Sequence, residues 1–274
     1  MPLLLGNTSV TKIYLGTKEV QRIYLGSTQV YGRQWTPADI STLGWYDAAD
    51  SSTITLNGST VSQWDDKSGN VRHLTQPTAV KQPLYEAIGY NGLPTLTFDG
   101  VDDTYINNNV ALAIGGNDFI MFLVCRTTSI TNSFQLCTVG QDGRLYVQRV
   151  SSQMEIRWGS NPSVQQSFNV GTGENHLLSW SRTNTNTVQA YTDGTLQATG
   201  SATFNRAFNN FSLHSYSFNG SSSSYGNGST CELVIAPPLS TADRERVEGY
   251  LAHKWGLSAN LPADHPYKNA APTI

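Results

Sequence analysis

Charge is scarce in this chain: only 14% of its 274 residues are Asp, Glu, Lys or Arg, and the formal net charge is −3. No Lys/Arg cluster occurs along it, so it carries no electrostatic footprint for nucleic acid. No apolar run approaches the length that spans a bilayer as a helix, and membrane insertion is not expected. The opening Met1-Pro2-Leu3-Leu4-Leu5-Gly6 lacks a basic leader, and its apolar run is too short for a signal peptide. That predicts synthesis in a cytoplasm and exit, if any, by another route such as lysis. Cysteine is limited to Cys125, Cys137 and Cys231, an odd count without metal spacing, which predicts reduced thiols. The five histidines show no metal-ligand spacing. No Gly-x-Ser-x-Gly elbow and no Gly-rich phosphate loop occurs.

Polarity comes instead from Ser, Thr, Asn, Gln and Gly, accompanied by 13 Tyr and 6 Trp. Such a mixture suits extracellular β-sandwiches and surfaces that meet carbohydrate or solvent. The first thirty residues repeat every ten: Leu3-Leu4-Leu5-Gly6 to Val10, Ile13-Tyr14-Leu15-Gly16 to Val20, Ile23-Tyr24-Leu25-Gly26 to Val30. A unit this small cannot bury its own apolar side, so it must stack on its neighbours or on something else. Ile, Tyr, Leu and Val favour strands, and Gly16-Thr17-Lys18 and Gly26-Ser27-Thr28 are turn chemistry. The segment therefore reads as a small hairpin or meander with Ile13, Leu15, Ile23, Leu25 and Val30 as anchoring residues. Its alternative is an edge sheet folded back on the main domain. Exposed edges favour a homo-oligomer that covers them. The boundary is placed at Gly32-Arg33-Gln34-Trp35, giving a repeat module over 1–34 and a main domain over 35–274.

In the main domain, Thr36-Pro37-Ala38-Asp39 opens a short helix expected to stop near Gly44. Short strands separated by turns then run to about residue 237. Asp99-Gly100, Asp142-Gly143 and Asp193-Gly194 are hairpin signals. Phe119-Ile120-Met121-Phe122-Leu123-Val124 is apolar on both faces and predicts a central strand covered on each side. His176, Leu178 and Trp180 share one face of another strand, opposite Ser179 and Ser181. The last element is a helix capped by Ser240 with Asp243, buried along Val247, Leu251 and Trp255, and closed by Gly256. Strands without interleaved helices predict an all-β, two-sheet antiparallel sandwich.

Several motifs follow in a familiar order: Trp45-Tyr46-Asp47-Ala48-Ala49-Asp50, Val61-Ser62-Gln63-Trp64-Asp65-Asp66-Lys67-Ser68-Gly69-Asn70 and Phe98-Asp99-Gly100-Val101-Asp102-Asp103. With Tyr191-Thr192-Asp193-Gly194 and the ending Glu245-Arg246-Val247-Glu248-Gly249-Tyr250-Leu251-Ala252-His253-Lys254-Trp255-Gly256-Leu257, they resemble laminin G-like, concanavalin A-like jelly-roll domains. The resemblance spans roughly residues 36–268, and the ending is very like that of such domains in tailed-phage and bacterial surface proteins. It implies a jelly-roll sandwich that binds glycans or proteins, in a virion setting.

Hydrolases of that fold carry Glu-x-Asp-x-x-Glu, and their two carboxylates flank the scissile bond. Glu155-Ile156-Arg157-Trp158 lacks the partner acids, and Asp65-Asp66 and Asp102-Asp103 read as turn-formers. No enzyme is expected and no cofactor is required. Calcium is the one candidate ion, held by Asp99, Asp102 and Asp103, with a plain turn as the alternative. The Ser/Gly/Asn/Tyr-rich segment 214–228 resembles a paratope in composition. There Tyr216, Phe218 and Tyr225 would stack on sugar rings while Asn219 and Asn227 bond hydroxyls; the alternative is a solvated loop. The expectation is a phage virion accessory protein, as a head decoration, head fibre or tail component. Residues 1–32 would hold other virion proteins, and the sandwich would meet host-surface polysaccharide. The rivals are a purely structural virion protein and a bacterial surface lectin or polysaccharide hydrolase.

Overall fold

The computed structural model describes residues 4–5, 8–9, 12–107, 118–127, 134–139, 144–150, 153–159, 164–169, 173–183, 187–201, 211–218 and 221–274. Within these, only backbone pairing is described for 4–9, 28–30, 134–169, 216–218 and 221–223. The main domain rests on an 11-stranded antiparallel sheet. Its spine is formed by β1 (Gly44–Asp47), β2 (Thr95–Asp99), β3 (Phe119–Thr127), β4 (Asn175–Thr183), β5 (Thr187–Thr192), β6 (Thr195–Ser201) and β7 (Asn227–Ala236). The long β7 pairs with β3 along one edge and with β2, then β1, along the other. From β3 the sheet continues through β4 and β5 to β6. A second, six-stranded sheet holds Tyr105–Ile106, Phe211–Leu213, Phe134–Val139, Arg144–Val150, Gln153–Gly159 and Val164–Asn169. The expected all-β jelly-roll-type sandwich is the fold.

Strand β3 explains the layering. Its odd residues Phe119, Met121, Leu123 and Cys125 enter the core between the sheets, with Trp64, Phe98, Trp180 and Phe211. Its even residues Ile120, Phe122 and Val124 enter a second core on the opposite face. A strand apolar on both faces demands cover on both faces. The helix α1 (Thr241–Lys254) supplies the outer cover, with Val247, Leu251 and Trp255 fully buried. Each such side chain stabilises the fold by roughly 1.5–3 kcal/mol. Leu178 and Trp180 face the inner core, as their alternation with Ser179 and Ser181 predicts. Cys125 and Cys231 are buried and lie in different cores.

The helix ends follow local chemistry. The Ser240 hydroxyl accepts from the Asp243 N–H at 3.1 Å and donates to the Asp243 carboxylate at 2.8 Å. At the other end, Leu257 N–H donates to Ala252 O and Gly256 N–H to His253 O, a Schellman motif. Gly256 has φ +69°, where a Cβ would be strained.

A buried carboxylate locks α1 to the sheet. Glu232 of β7, fully buried, accepts from the indole N–H of Trp45 at 2.7 Å, the indole N–H of Trp255 at 2.8 Å and the Tyr250 hydroxyl at 3.2 Å. Lys254 Nζ lies 2.7 Å from Glu232 and 2.6 Å from Asp47. Lys67 joins Asp47 at 3.0 Å to Asp50 at 2.7 Å and sits 4.3 Å from the centre of the Trp45 ring. Burial, then the Asp47 charge, pushes the Glu232 carboxyl up, opposed by Lys254. A second acid, Glu248, is fully buried against the Arg244 guanidinium at 2.5 and 2.6 Å.

Three local expectations differ in outcome. Asp193-Gly194 does turn the β5–β6 hairpin, with φ +50° and +79°, the I′ pattern. Asp99-Gly100 does not make a hairpin: after β2 the chain leaves for Tyr105–Ile106, which pairs with Phe211–Leu213 in the other sheet. Asp142-Gly143 lies outside the described residues. The helix expected up to Gly44 is a single 3-10 turn, Pro37–Asp39, because the chain must extend to feed β1.

The N-terminal repeats form separate two-stranded hairpins: Leu4–Leu5 with Thr8–Ser9, Tyr14–Leu15 with Lys18–Glu19, and Arg22–Leu25 with Thr28–Gly32. Gly16 and Gly26 open their turns at φ +65° and +64°. Leu15 is 81% exposed and Leu25 77%, with Tyr14 and Tyr24 more than half exposed. Ile13 and Ile23 are half-buried, and the Val30 side chain lies outside the description. The seam to the sandwich is pinned by the far end of the chain. Trp35 N–H donates to Pro272 O, Ile274 N–H donates to Arg33 O, and Tyr31 and Trp35 are buried.

Replacing Glu232 by Ala strands two indole N–H groups and removes one partner of Lys254. Urea unfolding at pH 7 should show a loss of roughly 3–5 kcal/mol.

Candidate functional site

The structure brings two separately expected sites into one neighbourhood. Asp99 ends β2 and lies opposite Asn227, which opens β7. Asn227 Nδ2 donates to Asp99 O at 2.7 Å, tying the acidic loop to the end of the Ser/Gly/Asn/Tyr-rich segment. In that loop, oxygens of Asp99, Asp102 and Asp103 lie within 4.8 Å of one another. Two of those acids also shape the backbone. Asp99 Oδ1 accepts from Val101 N–H at 2.8 Å and Asp102 N–H at 3.3 Å. Asp103 Oδ2 accepts from Asp99 N–H at 3.0 Å. Asp99 and Asp103 thus shape the turn, whereas the expected cap by Asp102 is not made: one oxygen each of Asp99 and Asp103, with both of Asp102, has no hydrogen bond among the described residues. Calcium–oxygen bonds of about 2.3–2.6 Å fit this spread, as a partial shell that water would complete. Asp103 is buried, and its carboxyl is pushed up to about 6 by burial, with the charges of Asp99 and Asp102 adding.

Beneath this loop sits a histidine that sequence reading did not single out. His214 is fully buried and stacks on Phe98 with ring centres 3.8 Å apart. Its Nδ1 lies 3.1 Å from Gly226 O and its Nε2 2.8 Å from Thr230 Oγ1. A carbonyl only accepts, so Nδ1 carries the proton and Nε2 accepts from the hydroxyl. Burial pushes this imidazole down to about 4, so it is neutral at pH 7. Its φ of +58° turns the chain out toward Tyr216–Phe218, which pairs with Ser221–Ser223 as a short hairpin. Nothing in the local sequence distinguishes His214 from a loop residue; its partners are 12 and 16 positions away.

Of the expected sugar-binding residues, Tyr225 is half-buried and Asn227 half-buried with its amide on Asp99. Tyr216 and Phe218 lie on the short hairpin with their side chains outside the description, as is Asn219 altogether. The acids weighed for catalysis take structural positions. Asp66 accepts from Trp45, Ser68 and Arg72 N–H groups. Asp65 accepts from Gln63 and pairs with His73 at 3.0 Å. Glu155 lies in the six-stranded sheet opposite Gln148 and Ser167, its side chain outside the description.

No protein-family model and no curated protein matches this sequence. Solved structures do match in fold. The botulinum neurotoxin serotype G binding domain superposes with TM-score 0.56 at 9% identity, covering 80% of this chain and 51% of that one. Trypanosoma rangeli sialidase in complex with sialic acid superposes at 0.58 and 12%, covering 86% and 36%. Domain 4 of a GH43 extracellular arabinanase from Geobacillus stearothermophilus, in complex with arabinotriose, superposes at 0.52 and 16%, covering 74% and 96%. The chain thus spans about half of the toxin domain and about a third of the sialidase, but nearly all of the arabinanase domain. At such identities the likeness establishes the class of fold, an antiparallel β-sandwich, and no more.

Because the folded chain holds the Asp103 proton more tightly than the unfolded chain, this residue's contribution to stability falls as pH rises from about 4 to about 6. Asp103→Asn keeps the oxygen that accepts from Asp99. The variant should match the wild type near pH 4 and exceed it above pH 6 in thermal melts. If the loop holds calcium, millimolar Ca²⁺ should raise the wild-type melting temperature above pH 6 and leave Asp103→Asn unmoved.

Proposed function

We propose that this chain is a non-enzymatic saccharide-binding module displayed on a phage particle and fixed there through residues 1–32. The observation that carries the reading is where its ionisable groups go. Glu232, Glu248, Asp66 and His214 are buried and engaged by the protein itself. The loops around them are rich in neutral hydrogen-bonding side chains. Such a surface suits reversible recognition of hydroxyl-bearing ligands. The arabinanase domain in complex with arabinotriose, covered over almost its whole length, supports it by analogy. Calcium at Asp99, Asp102 and Asp103 would stiffen the loop that carries Asn227. The phage setting rests on the family resemblance of the motifs.

The repeat hairpins support the anchoring part. Tyr14 and Leu15 are adjacent on one strand and therefore point to opposite faces, yet both are more than half exposed. A two-fold contact covers one face of such a hairpin and leaves the other wet. A ring of three or more chains, each hairpin lying between two neighbours, covers both. Oligomerisation would also multiply weak saccharide contacts through effective concentration. A purely structural particle protein is the second reading; the same exposed hairpins favour it if no sugar binds.

Sedimentation of the full chain should show a trimer or larger ring. Leu15→Asp with Leu25→Asp should give a monomer whose sandwich melts within about 2 °C of the wild type, since these side chains touch little of it. A wild-type monomer that still attaches to particles would leave anchoring in place and remove the ring.

A further inference from the structure

Beyond the end of α1, the outer face of the large sheet changes character. Over β3 and β7 it is apolar and covered by the helix. Over β4 and β5 it presents Ser181, Thr183, Gln189 and Tyr191, and a small open cleft lies between these strands and the start of the helix. Leu239 and Thr241 form the helix-side wall, and Ile120 lies at the floor. The sheltered room is about 80 Å³, well below the roughly 300–1,000 Å³ of sites that enclose a ligand, so the cleft is a shallow cradle for one face of a single ring. Ser181 is 5% exposed, and among the described residues neither its hydroxyl nor the side chains of Thr183, Gln189 and Thr241 make a hydrogen bond. The Ser181 hydroxyl is not among the sealed, unpartnered side-chain atoms of the described residues, so it opens onto the cleft, where water or a ligand hydroxyl bonds it.

We propose that this cleft is a subsite for one ring of a neutral saccharide, bonded by Ser181, Thr183, Gln189 and Thr241. The chemistry excludes the other ligand classes. An anion finds no free positive charge: Arg244 is held by both Glu248 oxygens and by Glu245 at 3.3 Å, and its guanidinium lies 4.4 Å from the centre of the Tyr191 ring. The Asp243 carboxylate and the Ser240 cap already occupy the start of the helix, so the dipole there is answered as well. A wholly apolar ligand would strand four polar side chains. A sugar ring brings hydroxyls for the sheet side and C–H faces for Leu239 and Ile120. The subsite lies apart from the 214–228 segment, and the inference rests on the saccharide-binding reading.

The test uses the full chain, labelled with ¹⁵N, with arabinotriose as neutral probe and α2,3-sialyllactose as acidic probe. Arabinotriose is expected to move the side-chain amide signals of Gln189. Gln189→Ala, at a half-exposed position, should keep the folded spectrum and weaken binding ~5-fold, the effect of one lost hydrogen bond. Binding that Tyr225→Ala weakens and Gln189→Ala does not would overturn the cleft and keep the saccharide reading. Preference for sialyllactose at the cleft would overturn the neutral class. Silence toward both probes at 20 mM would overturn the saccharide reading itself.

Discussion

The Glu232 carboxylate is the point through which the three layers of this domain are held in register. It sits inside β7, where nothing but protein can solvate it, and five groups converge on it or on its neighbour Asp47: two indoles, a phenol and two ammonium groups. A buried acid so placed adds little stability compared with an apolar side chain of its size, but it is intolerant of error. Any rotation of α1 would orphan the Trp255 N–H and Lys254 together. The nonspecific apolar contact between helix and sheet thereby acquires one orientation.

That requirement explains what the recurring motifs are for. Trp45 from the first motif and Lys254 and Trp255 from the last meet at Glu232, and Lys254 links it to Asp47, which Lys67 of the second motif ties to Asp50. They are architectural. These motif residues therefore say little about ligands. Binding falls to the surfaces left over: the acidic loop at the end of β2, the segment that His214 anchors, and the polar face past the helix. The first two are physically one region, since Asn227 bonds Asp99 and Phe98 stacks on His214.

The repeat hairpins obey a different economy. The two described over residues 14–32 are each closed by their own turn, and Tyr14, Leu15, Tyr24 and Leu25 face outward. Isolated two-stranded hairpins are marginal in water. The sandwich leaves these four side chains uncovered, so their cover belongs to whatever they meet. The bond between Arg33 and Ile274 sets where this arm leaves the body, clamping the base of the hairpins with the last residues of the chain.

Periodicity and caps made much of this legible beforehand. The two-faced run of β3, the alternation in β4, the Ser240 and Gly256 ends of α1 and the repeat turns are all decided by neighbours within about four positions. Local sequence is enough when the physics is local. Long-range pairing decided the rest. The same Asp-Gly dipeptide turns a hairpin at 193–194 but carries a crossover at 99–100, because strand 105–106 finds its partner at 211–213 in the opposite sheet. His214 became a neutral, buried pin because Phe98 and Thr230 enclose it, and the cleft beside Ser181 exists because the helix begins where it does. Burial and desolvation depend on which distant segments arrive, and no window of sequence contains that information.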